Sequence, residues 1–277
     1  VADAGDYIFW AGEYALFQYH KSEQDVVRLS KVSGMSDIGF SAVAWSEENN
    51  TLVVAYQNTN IDLIQDGQII NVPDIKDKSI LGNKTIHKIH IEGDFAYLAC
   101  GFAIVVLDIV KHEVKDTYYI GAGGSSINVY DIATTEDLIF ACTEIGVYRA
   151  DIDNINLANF ENWTLFTGIP SGEYNTCTWF DDKLFVNLSV QDANDSIYRW
   201  TGSDWFWFEG VQEDEVVYLE SVPEKMLVSV RNSVYEFNTD LARERLVFDY
   251  QDGTFPRPAY ATIDSRDDIW IADKDHG

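Results

Sequence analysis

Eight polar residues in turn-rich segments are the best candidates for contacting a ligand or a protein partner. Their amides, carboxylates and one guanidinium can form paired hydrogen bonds with a sugar or with polar side chains. We expect Tyr56, Tyr174 and Trp10 on the same face, where a flat apolar ring would suit a carbohydrate. Asn and Asp also form turns for purely structural reasons, so both interpretations stay open. The candidates are Asn58, Asn60, Asp192, Asn194, Arg231, Asn232, Asp273 and Asp275.

No recognisable catalytic or metal-binding motif accompanies these residues. The Gly-rich segment Gly121–Gly124 lacks the lysine and the helix of a phosphate loop. The segment Asp151–Asn154 begins like a calcium loop, but Asn156 stands where an EF-hand needs glycine. His87 and His90 are three apart on a predicted strand and so face opposite sides. We therefore predict no enzyme activity, no catalytic residue, no metal site and no cofactor, apart from adventitious surface calcium.

A repeat of about 43 residues must position the candidate residues. A short apolar strand recurs after a polar turn, as in GDFAYLAC, EDLIFAC and DDIWIAD. In each of the seven copies we take the second apolar residue after the turn as a marker. Successive markers are separated by 44, 44, 43, 45, 42 and 43 residues, and they are Ile8, Leu52, Ala96, Ile139, Leu184, Met226 and Ile269. Each unit carries up to four short strands, which is typical of a β-propeller blade.

The predicted fold is all-β: a seven-bladed β-propeller of four-stranded antiparallel blades, with the last blade incomplete in this chain. The alternative is six complete blades plus an extra strand, in which AYATID (259–264) pairs beside GDYIFWA (5–11). We expect residues 1–277 to form a single propeller domain excised from a longer protein. The approximate blades are 1–33, 34–77, 78–119, 120–166, 167–208, 209–250 and 251–277, the last being partial.

Loop positions follow from this architecture. In a propeller, the loops between second and third strands lie on the same face as the loops between the fourth strand and the next first strand. All eight candidate residues fall in or beside such loops, where function usually lies on a rigid scaffold. The aromatic run Trp205–Phe208 is expected in a fourth strand. It packs between blades or forms a contact patch for another domain or a partner.

Composition and charge narrow the class of protein. Aromatic residues make up 14% of the chain, too many for a disordered chain, and β-branched and aromatic residues dominate the apolar runs. The net charge of −27 opposes binding to nucleic acid and to anionic membranes. No apolar run is long enough to insert in a membrane. The three cysteines lie in apolar strand patterns, so we predict buried free thiols.

Several segments of the sequence resemble those of two known families. The segments SGMSDIGFSAVAW (33–45) and DGTFPRPAYATIDSRDDIWIAD (252–273) resemble the two-component-regulator propeller repeat. The order LSKVSGMSDIGFSAVAWSEENNTLVVAYQNTNIDLI (29–64), LGNKTIHKI (81–89) and VKDTYYIG (114–121) resembles the amino-terminal propeller of PorZ-like proteins of Bacteroidetes. Those proteins are surface-associated accessory factors of type IX secretion, and their amino-terminal propeller is a scaffold.

The resemblance implies a non-enzymatic scaffold or interaction module in an extracytoplasmic protein, in the periplasm or at the outer cell surface. Its partners would be neighbouring domains of the same chain, other proteins or a surface glycan. The first alternative is an oligosaccharide-sensing propeller of a hybrid two-component regulator, which the shared repeat also builds. The second is a propeller glycan lyase or hydrolase. This segment itself carries no signal peptide.

Overall fold

The computed structural model describes residues 1–12, 14–211, 215–250 and 254–274. The fold is an all-β propeller built from four-stranded antiparallel sheets, as the repeat predicts. In the described residues there are six such blades and a seventh sheet of two strands. Four short helical turns lie in the connections, at Lys31–Ser33, Asp74–Asp77, Ala122–Gly124 and Phe160–Asn162.

Strands are numbered in chain order, four to each blade. Blades 1 to 3 contain β1 Ala2–Ala4, β2 Tyr7–Ala11, β3 Leu16–His20, β4 Asp25–Leu29; β5 Phe40–Ser46, β6 Thr51–Tyr56, β7 Ile61–Gln65, β8 Gln68–Val72; and β9 Ile86–Glu92, β10 Phe95–Cys100, β11 Ile104–Asp108, β12 Glu113–Tyr118. Blades 4 to 6 and the seventh sheet contain β13 Val129–Thr134, β14 Leu138–Thr143, β15 Val147–Asp151, β16 Thr164–Leu165; β17 Glu173–Phe180, β18 Lys183–Ser189, β19 Ser196–Trp200, β20 Trp205–Trp207; β21 Val216–Val222, β22 Lys225–Val230, β23 Ser233–Asn238, β24 Arg243–Val247; and β25 Pro258–Ile263, β26 Ile269–Asp273.

In blades 2, 3, 4 and 6 the second strand is almost fully buried. All six residues of β6 are buried, and so are five of the six in β10, β14 and β22. Such strands are covered on both faces, which explains why the marker segments are nearly continuous apolar runs instead of alternating ones. The fourth strands are edges: all but the last residue of β4 are exposed, as are both residues of β16.

The turns between first and second strands repeat a left-handed backbone. Positive φ angles occur at Gly5, Gly93, Asn50, Asp182 and Asp267, all between 47° and 69°. Glycine, asparagine and aspartate adopt this conformation at the lowest steric cost. In the turns of Asn50, Asp182 and Asp267 the polar residue itself adopts this conformation, and in blades 1 and 3 a glycine does so, which accounts for much of the regularity of the repeat.

The structure corrects the predicted number of blades. Only β25 and β26 form the seventh sheet in the described residues, so there are six complete blades, not seven. The alternative has the right count of complete blades but the wrong pairing. Pro258–Ile263 pairs with Ile269–Asp273, whereas Tyr7–Ala11 pairs with Ala2–Ala4. The seven copies of the second strand indicate the number of sheets. They do not show whether third and fourth strands follow in each sheet.

The chain divides into two compact units, residues 1–132 with 150–163, and residues 133–149 with 164–277. Within the first unit, one apolar cluster joins blades 1 and 2 around Phe9 and Tyr56, and another joins blades 2 and 3 around Leu63 and Leu98. Within the second unit, three further clusters link successive sheets, and Phe237 packs between blades 5 and 6. No helix in the described residues is long and apolar enough to cross a membrane.

All three cysteines are free and fully buried, which confirms the prediction made from their strand patterns. Cys100, Cys142 and Cys177 are completely inaccessible to solvent. Burial raises the pKa of the Cys100 thiol well above its ordinary value. These side chains therefore serve as small apolar core residues.

Candidate functional site

Two loops of blade 2 come together around Asn60, between the second and third strands. Its side-chain amide donates to Asp37 Oδ2 at 3.0 Å, and Asp37 lies in the loop that leads from β4 to β5. Asn60 Oδ1 in turn accepts a hydrogen bond from Asn71 Nδ2 at 2.9 Å. The two kinds of loop predicted to share one face are thus in direct contact in this blade.

Asp62 is the buried centre of this arrangement. It is fully inaccessible to solvent and accepts from the Tyr56 hydroxyl at 2.5 Å and from the Ser36 backbone N–H at 2.8 Å. Asn71 Nδ2 donates to its other oxygen at 2.9 Å. The buried carboxylate has several donors, as a buried charge requires. The loop network is defined here as Asp37, Tyr56, Asn58, Asn60, Asp62 and Asn71.

Two lysines complete the loop network at its solvent side. Asp37 pairs with Lys76 at 2.8 Å and with Lys31 at 3.3 Å. Burial alone would raise the pKa of Asp37, but hydrogen bonds from Lys76, Asn58 and Lys31 hold it well below the ordinary value. Burial and the hydrogen bond to Asp62 raise the pKa of Tyr56, so its hydroxyl stays protonated and remains a donor.

The two predicted site residues of blade 2 differ in exposure. Asn58 is exposed, whereas Asn60 is only 2% accessible and has its donor and acceptor groups engaged within the protein. The Asn58 side-chain oxygen accepts from the Asn60 backbone N–H at 3.0 Å, which shapes the turn. A ligand approaching this loop would therefore meet Asn58 and the lysines, with Asn60 behind them.

Blade 5 has a carboxylate in a comparable role. Asp195 is 9% accessible and accepts from Asn187 Nδ2 at 3.0 Å, Val190 N at 2.9 Å and Val216 N at 2.8 Å. The predicted site residues Asp192 and Asn194 precede it on the same loop and are both exposed. Asp192 adopts a positive φ of 59°, as expected at a tight turn.

The remaining predicted residues lie on other loops of the second unit. Arg231 and Asn232 are exposed in the turn of blade 6, and Arg231 Nε donates to Glu215 Oε2 at 3.1 Å. Asp273 is 8% accessible and accepts from the Tyr250 hydroxyl at 2.8 Å and from Arg257 N at 2.7 Å. Asp275 lies outside the described residues. Whether any of the eight candidates contacts a ligand stays a prediction.

The prediction that three aromatic rings offer a flat face to a sugar is wrong for two of the three. Tyr56 and Tyr174 are fully buried, and their hydroxyls donate to Asp62 and to the Pro170 carbonyl. Trp10 is partly exposed and stacks on Phe17 with ring centroids 5.1 Å apart. Neither buried tyrosine can offer its ring face to a ligand.

A second polar cluster, which the sequence analysis did not single out, joins blade 6 to the seventh sheet. Glu236 is 1% accessible and pairs with Lys225 at 2.9 Å and with Arg245. Both cations also reach Asp267 in the β25–β26 turn: Lys225 contacts its carboxylate, and Arg245 binds its carbonyl at 2.9 Å and its carboxylate at 3.0 Å. These four residues are defined as the turn network. In the sequence, the glutamate inside the apolar segment VYEFN was the feature that could have indicated this cluster.

A shallow cavity of about 520 Å³ lies beside first-to-second-strand turns of blades 5 and 6. It is lined by Trp179, Phe180, Ser221, Pro223 and two acidic residues, Asp181 and Glu224. Lys183 already pairs with Asp181 at 2.5 Å, so the cavity presents little free charge on that side. Among the described residues no group of three or more histidine, cysteine or acidic side chains could hold a metal ion.

Comparisons with known proteins identify relatives of the chain. Residues 8–164, more than half of the 277, match the family described as the type IX secretion system PorZ amino-terminal β-propeller domain. No curated protein matches the chain. Among 1286 matching solved chains, PorZ of Porphyromonas gingivalis superposes with a TM-score of 0.76 and 23% identity, over 87% of this chain. That structure is described as an essential bacterial surface component of the type IX secretion system.

The chain spans 32% of the length of that PorZ structure. A chain in a crystal structure of the mitotic checkpoint complex superposes with a TM-score of 0.71 and 12% identity, over 99% of this chain and 85% of its own length. Such unrelated contexts show that the structural likeness establishes the fold alone. The family assignment therefore rests on the sequence match.

Proposed function

Because the chain belongs to the family of PorZ amino-terminal β-propeller domains, we propose that it is a non-catalytic scaffold of type IX secretion. The observation that carries the proposal is the family match over residues 8–164. The domain would act outside the cytoplasm, at the bacterial surface, where the related PorZ is described as a component. Its partners would be neighbouring domains of a longer protein and other secretion proteins.

The chemistry of the loops supports a scaffold role. Asp62 in the first unit, and Asp195 and Asp273 in the second, are buried carboxylates that accept hydrogen bonds from neighbouring loop segments. These hydrogen bonds hold the loops within each unit in place, which makes their surfaces rigid. A rigid face costs little conformational entropy when it binds a partner.

The arrangement also supports one propeller domain, residues 1–277, as a module of a longer protein. The chain spans a third of the related PorZ structure, so the activity of a whole protein requires parts beyond it. We propose that this domain positions those parts and contributes a rigid binding surface. The net charge of −27 would keep it soluble and disfavour anionic surfaces.

An in-frame deletion of residues 1–277 in the native bacterium tests the proposal. We expect surface delivery of type IX cargo to fall by about tenfold or more, measured by surface biotinylation, and to return when the wild-type gene is restored. An immunoblot for a distal tag checks that the shortened protein is produced, and a type IX-independent outer-membrane protein serves as the control. Normal cargo delivery with the shortened protein present would refute the scaffold role.

A further inference from the structure

The edge strand β20 of blade 5 lacks the features that usually protect a sheet edge. Its three residues are Trp205, Phe206 and Trp207, without any charged residue or proline. Phe206 and Trp207 are 48% and 51% exposed. By contrast, the edge strands β12 and β24 carry several charged side chains. Natural edges are blunted by charge, proline or a cover, so β20 is an edge open to pairing.

The remaining members of the aromatic run are core residues. Trp205 packs edge-on against Phe166 with centroids 5.1 Å apart, and Phe208 packs between Phe185 and Phe237 at 5.5 and 5.2 Å. The predicted packing between blades is therefore confirmed for Trp205 and Phe208. The two residues between them, Phe206 and Trp207, are left at the surface and require a separate explanation.

The register of β20 shows which backbone groups are open. Hydrogen bonds from Thr201 N to Asp204 O and from Phe208 N to Ile197 O fix the pairing with β19. Because hydrogen-bonded and non-bonded pairs alternate in an antiparallel ladder, Phe206 faces Arg199 as a bonded pair. The N–H and C=O groups of Trp205 and Trp207 then point away from β19. Within the described part of the chain, no strand pairs with that side.

Two arginines without carboxylate partners lie near β20, one on the adjacent strand β19 and one in the sheet of blade 6 that packs against Phe208. Arg199 lies opposite Phe206 on the same face, with its guanidinium 5.7 Å from the ring centroid. Arg243 of blade 6 stacks on Tyr235 at 5.8 Å and lies on the face whose Phe237 contacts Phe208. Neither arginine forms an ion pair with any described residue, although the chain has 46 acidic residues against 19 basic ones.

Arg199 also has an unsatisfied donor. Its Nε is buried and has no hydrogen-bond acceptor among the described residues, and the same holds for Trp205 Nε1. The Arg199 guanidinium, part of which is exposed, is therefore poorly satisfied by the protein itself. The β20 patch is defined as Trp205, Phe206, Trp207, Arg199 and Arg243.

We propose that the β20 patch binds an extended peptide segment of a partner protein with a single acidic residue at its centre, and that this segment adds to blade 5 as a fifth strand. This rests on the proposed scaffold function and names its partner chemistry. Backbone hydrogen bonds to Trp205 and Trp207 supply affinity, and side-chain positions supply specificity. A residue of the segment opposite Phe206 lies on the same face of blade 5 as Arg199, so a carboxylate is favoured there.

The flanking residues restrict the segment further. The neighbours of the central residue lie on the opposite face with Trp205 and Trp207, where apolar side chains pack best. Asp204 and Glu209, both exposed, stand at the two ends of the strand and would repel further acidic residues. The preferred pattern is therefore apolar, acidic, apolar, with neutral polar residues beyond.

Binding of a synthetic peptide to the purified chain tests the proposal. The probe is a fluorescein-labelled nonapeptide with one central glutamate between two valines and with threonines and serines as flanks. The control peptide has lysine in place of the glutamate. We expect the glutamate peptide to bind at least about fivefold more tightly, as measured by fluorescence anisotropy. Equal binding of both peptides, or no binding at about 1 mM peptide, would overturn the proposal.

Variants separate edge pairing from general attraction between charges. Arg199→Glu should weaken binding of the glutamate peptide by about tenfold, whereas Arg28→Glu on the exposed edge strand β4 should change it by less than about twofold. Trp207→Pro removes the outward N–H and should weaken binding further than Trp207→Ala. Equal effects of Arg199→Glu and Arg28→Glu, or of the two Trp207 variants, would contradict strand addition.

The outcome is separable from that of the secretion test. If the peptide fails to bind but deletion of the domain blocks cargo delivery, only the β20 proposal falls. If the peptide binds as predicted but the deletion has no effect on cargo, the scaffold function falls and the binding site remains.

Discussion

The loop network of blade 2 and the turn network of blade 6 use carboxylates in opposite ways. Asp62 in the loop network is bound by a hydroxyl, an amide and a backbone N–H, all of them neutral donors. Glu236 in the turn network is bound by two cations that extend to exposed Asp267. The first arrangement fixes loops within one blade, and the second joins neighbouring sheets. Neutral donors give a local, salt-insensitive anchor, whereas the ion pairs can be screened.

Of the substitutions that test this comparison, Asp62→Ala is expected to change stability most. The change leaves the buried Tyr56 hydroxyl and the half-buried Ser36 N–H without their acceptor, so we expect the free energy of unfolding to fall by about 3 kcal/mol. Urea unfolding followed by tryptophan fluorescence measures it. Asp192→Ala, an exposed carboxylate in the corresponding loop of blade 5, is the control and should change it by less than about 0.5 kcal/mol. Similar losses in both variants would refute the anchoring role of Asp62.

Glu236→Gln is expected to have the next largest effect. It removes the buried charge that pairs with Lys225 and Arg245, at a cost of about 2 kcal/mol in the free energy of unfolding. Amide hydrogen exchange in β25 and β26 should become faster, because the same cations hold the β25–β26 turn. Glu215→Gln, in the exposed pair with Arg231, is the matched control. Unchanged amide hydrogen exchange in the seventh sheet would argue against the idea that the turn network joins this sheet to blade 6.

A third prediction concerns the loss of stability at low pH. The pKa of Asp37 in the folded protein lies below its ordinary value of 3.8. Its contribution to stability is therefore complete above about pH 5, begins to be lost as the pH falls below that ordinary value, and disappears only below the lowered pKa of the folded state. Asp37→Asn should therefore lose less stability than the wild type between pH 6 and pH 3. We expect the difference in the Tm change to be about 2–4 °C by scanning calorimetry. A larger acid sensitivity in the variant would contradict the ion pairs with Lys31 and Lys76.

The smallest effect is expected for Asp267→Asn. Its pKa is lowered by the hydrogen bond from Lys225, yet the side chain is 58% exposed and its interactions are screened. We predict a fall in Tm of about 1–2 °C at low salt that disappears in about 1 M NaCl. The Asp62→Ala loss should persist at the same salt concentration. Equal salt sensitivity of the two variants would remove the distinction between the networks.

The sequence was sufficient to predict the fold class because a period of 43 residues reflects a physical requirement. Second strands such as β6 are buried on both faces, and most of the turns before second strands need a left-handed backbone, at residues such as Asn50 and Asp182. These two constraints leave a visible pattern of apolar runs after Asn, Asp or Gly. The number of complete blades could not be predicted so well, because fourth strands such as β16 and β20 are short and exposed and leave a weaker pattern.

The environment of the candidate site was harder to predict than its location. The pattern placed Asn58 and Asn60 on one loop, but their exposure differs: Asn60 is buried between Asp37 and Asn71, whereas Asn58 reaches Asp37 and remains exposed. Likewise, Tyr56 ends an apolar strand, and nothing in the sequence distinguishes a ring on the surface from one bonded to Asp62. Acidic residues inside apolar strands, such as Asp62 and Glu236, were the usable indication of buried networks.

The inaccessible thiols have a practical consequence for labelling. Maleimides and other thiol-directed dyes require an accessible thiolate, and the buried native cysteines offer none in the folded state. A single cysteine introduced at an exposed turn, for example by Ser203→Cys next to β20, would therefore be modified selectively without removing the native ones. Fluorophores or spin labels could then report on the neighbourhood of that strand in the otherwise native protein.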